Sequence, residues 1–200
     1  MTAPIDFFFD FASPYAYCLA DSLAEVAARH GRSLRWRPIL LWAVLKQHGM
    51  PPPLEHEVKR RYVLADMARS ARFFGKPEFR MPDPFPVSTH LPARLFHHLE
   101  AMQPDAAVPF ARAVLDAAFR RGAHLADAAT IAALAGVCGV SPEVAAAGMT
   151  GDTAKEALRL ANEAAAALGV WGSPFVVLDG DAFFGADRLP QIEARLEGRL

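Results

Sequence analysis

The chain has 200 residues, 52% hydrophobic and 22% charged, and 21 Lys and Arg set against 22 Asp and Glu leave a net charge of −1. That length buries a substantial core, as one large domain or as a core fold with an insertion, and the near-neutral balance gives no electrostatic basis for a nucleic-acid partner. No apolar run approaches the roughly 18 residues of a membrane span, and the N-terminus has Asp6 and Asp10 rather than a basic leader, so a soluble cytoplasmic protein with no membrane partner is expected.

The first element is the apolar run Phe7, Phe8, Phe9, which has the character of a buried strand. Asp10, Phe11, Ala12, Ser13 and Pro14 follow at once, and Ser13 is a favoured N-cap with Pro14 at the first helical position. The mouth of such a helix has free N–H donors and partial positive charge, which suit an anion or a thiolate. On these residues alone Ser13 reads first as a cap. The helix continues with Leu19, Leu23 and Val26 on one face and stops at Gly31. Leu34 and Trp36 alternate with Arg35 and Arg37 before Pro38, which predicts a second strand, parallel to the first across a right-handed βαβ crossover.

Residues 38–53 are irregular, with room for a short helix around Trp42 to His48 before three prolines in a row. A helix over 54–74 would place Val58, Tyr62 and Ala65 on one side, with its basic residues on a solvated face. Five prolines between Lys76 and Pro92 predict a rigid loop of the kind that lines sites. Residues 93–168 are Ala-rich and read as four or five short helices. The last segment returns to strand character: Phe175 to Leu178, a turn of Asp179, Gly180 and Asp181 with its Asp-Gly signal, then Ala182 to Phe184, with a final helix running to Leu200.

Cys18 and Cys138 are far apart and form no CxxC, which excludes a local dithiol centre and predicts small buried thiols. The histidines lack metal-site spacing, and His97 and His98 point to different sides of a helix, so no metal is implied.

This order, with FDFASPYAY, KRRYVLADMAR, GKPEF followed by FP, VWGSPFVV and FFGADRL, resembles the 2-hydroxychromene-2-carboxylate isomerases, relatives of the kappa-class glutathione transferases. The resemblance implies an α/β, thioredoxin-like (DsbA-like) βαβ…ββα fold with an inserted all-helical domain. Residues 1–40 and 170–200 would form the thioredoxin-like domain and 41–169 the insertion. Where redox members have CxxC, this chain has Ser13, Pro14, Tyr15 and Ala16, so the helix start cannot make its own disulfide but can stabilise a ligand's thiolate.

By the same resemblance that ligand is glutathione, with Ser13 at its sulfur as the catalytic residue. Ser173 before a cis Pro174 would pair with the cysteinyl backbone, and Asp187 and Arg188 would meet the γ-glutamyl charges. Read without the resemblance, Asp187 is another cap and Arg188 a surface charge. Lys46 stands where relatives have a lysine that meets a ligand carboxylate. Met50 and Ser88 depart from the family's asparagines. Trp42, Phe85 and Trp171 are either core or aromatic walls of the site.

The implied reaction takes an aromatic keto acid substrate, 2-hydroxychromene-2-carboxylate, to trans-o-hydroxybenzylidenepyruvate in aromatic catabolism; the implied assembly is a homodimer. Two alternatives remain open: a kappa-like glutathione transferase, and a non-redox thioredoxin-fold protein that binds peptides beside Pro174.

Overall fold

The computed structural model describes residues 3–200. In chain order these form β1 (Ile5–Phe9), α1 (Pro14–Arg29), β2 (Leu34–Pro38), α2 (Leu41–Gln47), α3 (Glu57–Phe73), α4 (His90–Met102), α5 (Pro104–Phe119), α6 (Ala128–Val137), α7 (Pro142–Thr150) and α8 (Asp152–Ala167). Then come β3 (Phe175–Leu178), β4 (Asp181–Phe184), a 3-10 turn (Ala186–Arg188) and α9 (Leu189–Leu196).

The sheet runs β2-β1-β3-β4. β1 and β2 are parallel, with Phe7 opposite Trp36, while β3 is antiparallel to β1 and to β4. The phenylalanine run is buried on both faces, as a central strand requires. Ile5, Phe7 and Phe9 join α1, α4 and α5 in one contiguous core, and Phe8 and Phe175 face α2 and α8. Trp36 meets Phe7 and Phe9 edge-on at 5.3 and 5.5 Å between ring centroids, a favoured arrangement of aromatic quadrupoles.

The β3–β4 connection has Asp179 at φ +50° and Gly180 at φ +91°. Both central residues are left-handed, the geometry that matches strand twist in a two-residue hairpin and that Asp-Gly tolerates best. Asp181, read from sequence as part of the turn, pairs with Leu178 as the first residue of β4.

Other expectations shift. α4 begins at His90, with Pro92 in its first turn, where the missing N–H costs no helical bond; the sequence reading ended the loop at Pro92. α9 stops at Leu196 rather than Leu200. The face expected for α3 is wrong. Val58 and Tyr62 are 66% and 64% exposed, and α3 buries Met67 and Ala71 instead. Its N-terminal half holds Lys59, Arg60 and Arg61 around the apolar residues and buries none of them; the buried positions lie in the C-terminal half. None of the described helices is long and apolar enough to cross a membrane.

Candidate active site

The site is assembled where β1 ends, α1 begins and the chain returns before β3. Ser13 has extended backbone (φ −95°, ψ 109°), and its Oγ accepts the Ala16 N–H at 3.2 Å, so the cap reading is correct. Oγ also donates to the carbonyl oxygen of Ser173 at 2.9 Å, 160 residues away in sequence. The Ser173–Pro174 peptide is cis, as the resemblance implied. The Ser173 N–H has no acceptor among the described residues.

Beneath this pair lies a residue that sequence reasoning used only as an N-terminal charge. Asp10 is buried; its Oδ1 accepts the Ala12 N–H at 2.9 Å and the Thr89 hydroxyl at 2.7 Å, and its Oδ2 accepts the Leu41 N–H at 2.8 Å. Its own N–H donates to Ser173 Oγ at 2.8 Å. One residue thus ties the entry to α1, the start of α2 and the cap position of α4, through its carboxylate, to the segment before β3, through its backbone N–H. Burial pushes the Asp10 carboxyl above its ordinary value, against the pull of its three donors. A charge inside the otherwise apolar FFFDF run was the signal available in the sequence.

The Tyr15 hydroxyl donates to Asp66 on α3 at 2.8 Å. Burial, with the Asp66 carboxylate beside it, raises its hydroxyl far above the usual phenol range, so it acts as a tether rather than an acid–base group. Cys18, one turn into α1, is buried and pushed up to about 12 by desolvation, an inert thiol. Cys138 is free and half-buried.

The remaining expected site residues are more exposed. Asp187 and Arg188 lie in the 3-10 turn and pair with each other at 2.9 Å. Asp187 is not the cap of α9; Arg188 occupies that position. Gly185 (φ +102°) joins this turn to the site through its N–H to Pro174 O at 3.1 Å. The positive φ favours glycine there; a Cβ would also fall 2.5 Å from Asp187 Oδ1, a contact the exposed Asp187 side chain could relieve by turning away. Lys46 is exposed near the end of α2, with no charged partner among the described residues.

Met50 is exposed, and Ser88 is engaged with His90 Nδ1 at 2.8 Å. Trp42 and Trp171 are not core: they are 61% and 43% exposed. Phe85 is half-buried. Trp171 packs on Phe184 with ring centroids 4.2 Å apart, beside Gly172, where a Cβ would meet the Phe184 ring at 2.2 Å.

Away from Ser13, a cleft of about 270 Å³ is bounded by Tyr17, Asp21, Lys76, Arg112 and Asp116. Its charges are internally matched, with Lys76 on Asp21 at 2.6 Å. His30, Glu193 and Glu197 gather on the surface, but Arg29 and Arg199 already hold the two carboxylates.

An N-terminal helix mouth, an anion-tolerant hydroxyl and a flanking cis-proline segment can receive a thiolate and an extended peptide backbone. The chain is similar to known proteins. A 2-hydroxychromene-2-carboxylate isomerase of Sphingobium xenophagum is 28% identical over 198 residues, 98% of this chain and 99% of that protein. Glutathione S-transferase kappa 1 of Caenorhabditis elegans is 32% identical over 74 residues, 36% of this chain and 33% of that protein. The solved structure of a 2-hydroxychromene-2-carboxylate isomerase superposes with a TM-score of 0.84 at 26% identity, covering 98% of this chain and 95% of that one. Residues 4–197 match a single family description, and the chain belongs to the DSBA-like thioredoxin domain family.

Proposed function

We propose that the protein is a glutathione-dependent isomerase of an aromatic keto acid, taking 2-hydroxychromene-2-carboxylate to trans-o-hydroxybenzylidenepyruvate. The observation that carries this reading is the Ser13 hydroxyl at the mouth of α1, in contact with the residue before Pro174, in a helix start that has no cysteine at positions 13–16. The full-length likeness to isomerases of that name supports it.

Glutathione fits the residues present. The Ser173 backbone offers a free N–H and a carbonyl for the cysteinyl residue, and Asp187 with Arg188 offers opposite charges for the γ-glutamyl end. The hemiketal ring of the substrate must first open, its ring C–O bond breaking as the hemiketal proton passes to the phenol oxygen. Bound glutathione would then supply a thiolate for the unsaturated carbon conjugated with the keto group, leaving a single bond free to rotate before the sulfur departs.

Ser13 stabilises the anionic sulfur by a charge-assisted hydrogen bond, and the α1 N-terminus adds about 0.3 to 1 kcal/mol. Lys46, exposed near the end of α2, would be the cation that meets the substrate carboxylate or the enolate charge that develops on addition. Trp171 and Phe184 offer an exposed aromatic surface beside Ser173 for the substrate ring.

The test is the absorbance change from chromene to benzylidenepyruvate, with and without glutathione, for wild type and Ser13→Ala. Glutathione-dependent turnover that drops on mutation supports the proposal; glutathione-independent turnover unaffected by the mutation overturns it. A second reading, a kappa-like transferase that releases the thiol adduct, is favoured by the kappa 1 likeness. Product analysis with a simple electrophile separates the two.

A further inference from the structure

The Ser13 hydroxyl has a single proton, and its place follows by elimination. The oxygen 2.9 Å from Oγ is the Ser173 carbonyl, which has no hydrogen to give, so the Ser13 proton lies between them. The other contact of Oγ, from the Ala16 N–H at 3.2 Å, uses a lone pair. As it stands, Ser13 has nothing left to donate to a sulfur.

Both residues are 8% exposed, and both are held in place. Ser13 Oγ is fixed by capping α1, and Ser173 is fixed through its own Oγ by the Asp10 N–H at 2.8 Å. What moves freely is the proton. Rotation about the Cβ–Oγ bond re-aims it and leaves the cap intact. That rotation strips the buried Ser173 carbonyl of its donor, a loss of the same order as the gain from a hydrogen bond to a charged group. A sulfur by itself therefore gains little from the exchange.

We propose that the Ser173 carbonyl gates thiolate stabilisation: the Ser13 hydroxyl turns to a bound sulfur only when a ligand N–H replaces it on Ser173 O. The ligand selected is a cysteinyl peptide rather than a thiol as such. Its cysteinyl N–H takes Ser173 O while its carbonyl takes the free Ser173 N–H, the two-bond exchange of a hydrogen-bonded antiparallel pair. No covalent bond of the protein changes; the thiol proton leaves to water, and Ser173 O trades an O–H for an N–H. The inference rests on the glutathione reading given above.

The test compares glutathione with a depsipeptide analogue whose cysteinyl N–H is replaced by an ester oxygen. Occupancy is read by calorimetry and thiol ionisation by thiolate absorbance, each ligand against its own free value. Bound glutathione should ionise about one pH unit lower or more, and Ser13→Ala should remove most of that shift. The saturated ester analogue should show little shift and no response to Ser13→Ala; an equal shift for both ligands overturns the proposal.

A crystal structure of the glutathione complex gives a readout that does not depend on the analogue's affinity. The cysteinyl N should sit on Ser173 O with Ser13 Oγ against the sulfur. An ionised sulfur with Ser13 still on Ser173 O overturns the exchange. If glutathione itself fails to saturate the wild type at millimolar concentration, the glutathione reading fails, and the exchange falls with it.

Discussion

The mouth of α1 and the rim around it are built on opposite terms. At the mouth, Ser13, Ser173 and Asp10 are buried and joined by hydrogen bonds of 2.8 and 2.9 Å that bring together segments more than 150 residues apart in sequence. At the rim, Lys46 is exposed and unpaired among the described residues, and Asp187 and Arg188 close on each other in solvent. The contrast separates two tasks. On the proposed function, placement of the sulfur is set during folding, because the polar groups that would receive it also satisfy buried backbone. Recognition of the ligand's charged ends would then fall to groups the fold does not need. Changes at the mouth should therefore alter stability and chemistry together, and changes at the rim should alter affinity alone.

The largest expected effect separates the two uses of Ser13. Ser13→Ala and Ser13→Gly both remove the hydroxyl, and turnover should fall about 100-fold or more for each, as for loss of one preorganised donor. Their capping costs differ, at about 1 kcal/mol for alanine and a few tenths for glycine. Urea denaturation should rank the two variants apart while the chromene assay ranks them together. A glycine variant that regains turnover along with stability would show that the cap, not the proton, matters.

The next effect compares two carboxylates of the first strand and its exit. Asp10→Asn puts an N–H donor against one of three existing donors, and should cost about 2 kcal/mol or more near neutral pH. Because burial raises the folded Asp10 carboxyl above its unfolded value near 3.8, the native state holds the proton longer. Wild-type stability from this group then falls as pH rises from about 4 through the raised value, and the deficit of Asp10→Asn should shrink over that window.

Asp6 runs the other way. Burial raises it, but Arg35 at 2.5 Å and Arg37 at 3.2 Å outweigh burial and hold it below its ordinary value. Its contribution is present above about 4 and lost as pH falls through the lowered value, so the roughly 1 kcal/mol deficit of Asp6→Asn should grow as pH rises from acid. Urea titrations of both variants from pH 3 to 7 check the signs; parallel slopes would sink the distinction.

A smaller effect belongs to the boundary between the regions. Gly172→Ala drives a Cβ into the Phe184 ring, which must leave Trp171. The cost should be about 1 kcal/mol, since Phe184 is partly exposed and can swing out. Trp171 fluorescence should shift. An unchanged spectrum would mean that the ring contact is not what Gly172 serves.

The two regions were also unequally legible in the sequence. Ser13, Pro14 and the Asp179–Gly180 turn obey local rules, and each is where those rules put it. Strand character in Phe7 to Phe9 needs only that both faces be covered. Asp10 was missed as a structural centre because its partners, Leu41, Thr89 and Ser173, come from three other segments, and no local pattern announces such convergence. The same holds for the Ser13 proton on Ser173 O. Val58 and Tyr62 misled because helical spacing says which residues share a face, not whether that face meets anything. At the rim, Lys46, Asp187 and Arg188 came only from resemblance, since an exposed charge leaves no mark in periodicity.

The smallest effects test whether the rim is as separable as it looks. Lys46→Met and Asp187→Asn should leave stability within about 0.5 kcal/mol, because neither residue anchors buried structure. Exposed charge pairs contribute up to about 1 kcal/mol, so each change should weaken its own ligand by no more than about fivefold: Asp187→Asn in the calorimetric Kd for glutathione, Lys46→Met in the KM for the chromene acid. Neither should move the ionisation of the bound thiol, which belongs to Ser13 and α1. A shifted thiol in Asp187→Asn would mean that holding the γ-glutamyl end sets how far the cysteinyl N–H reaches Ser173 O. The rim would then be coupled to the mouth through the ligand's own backbone.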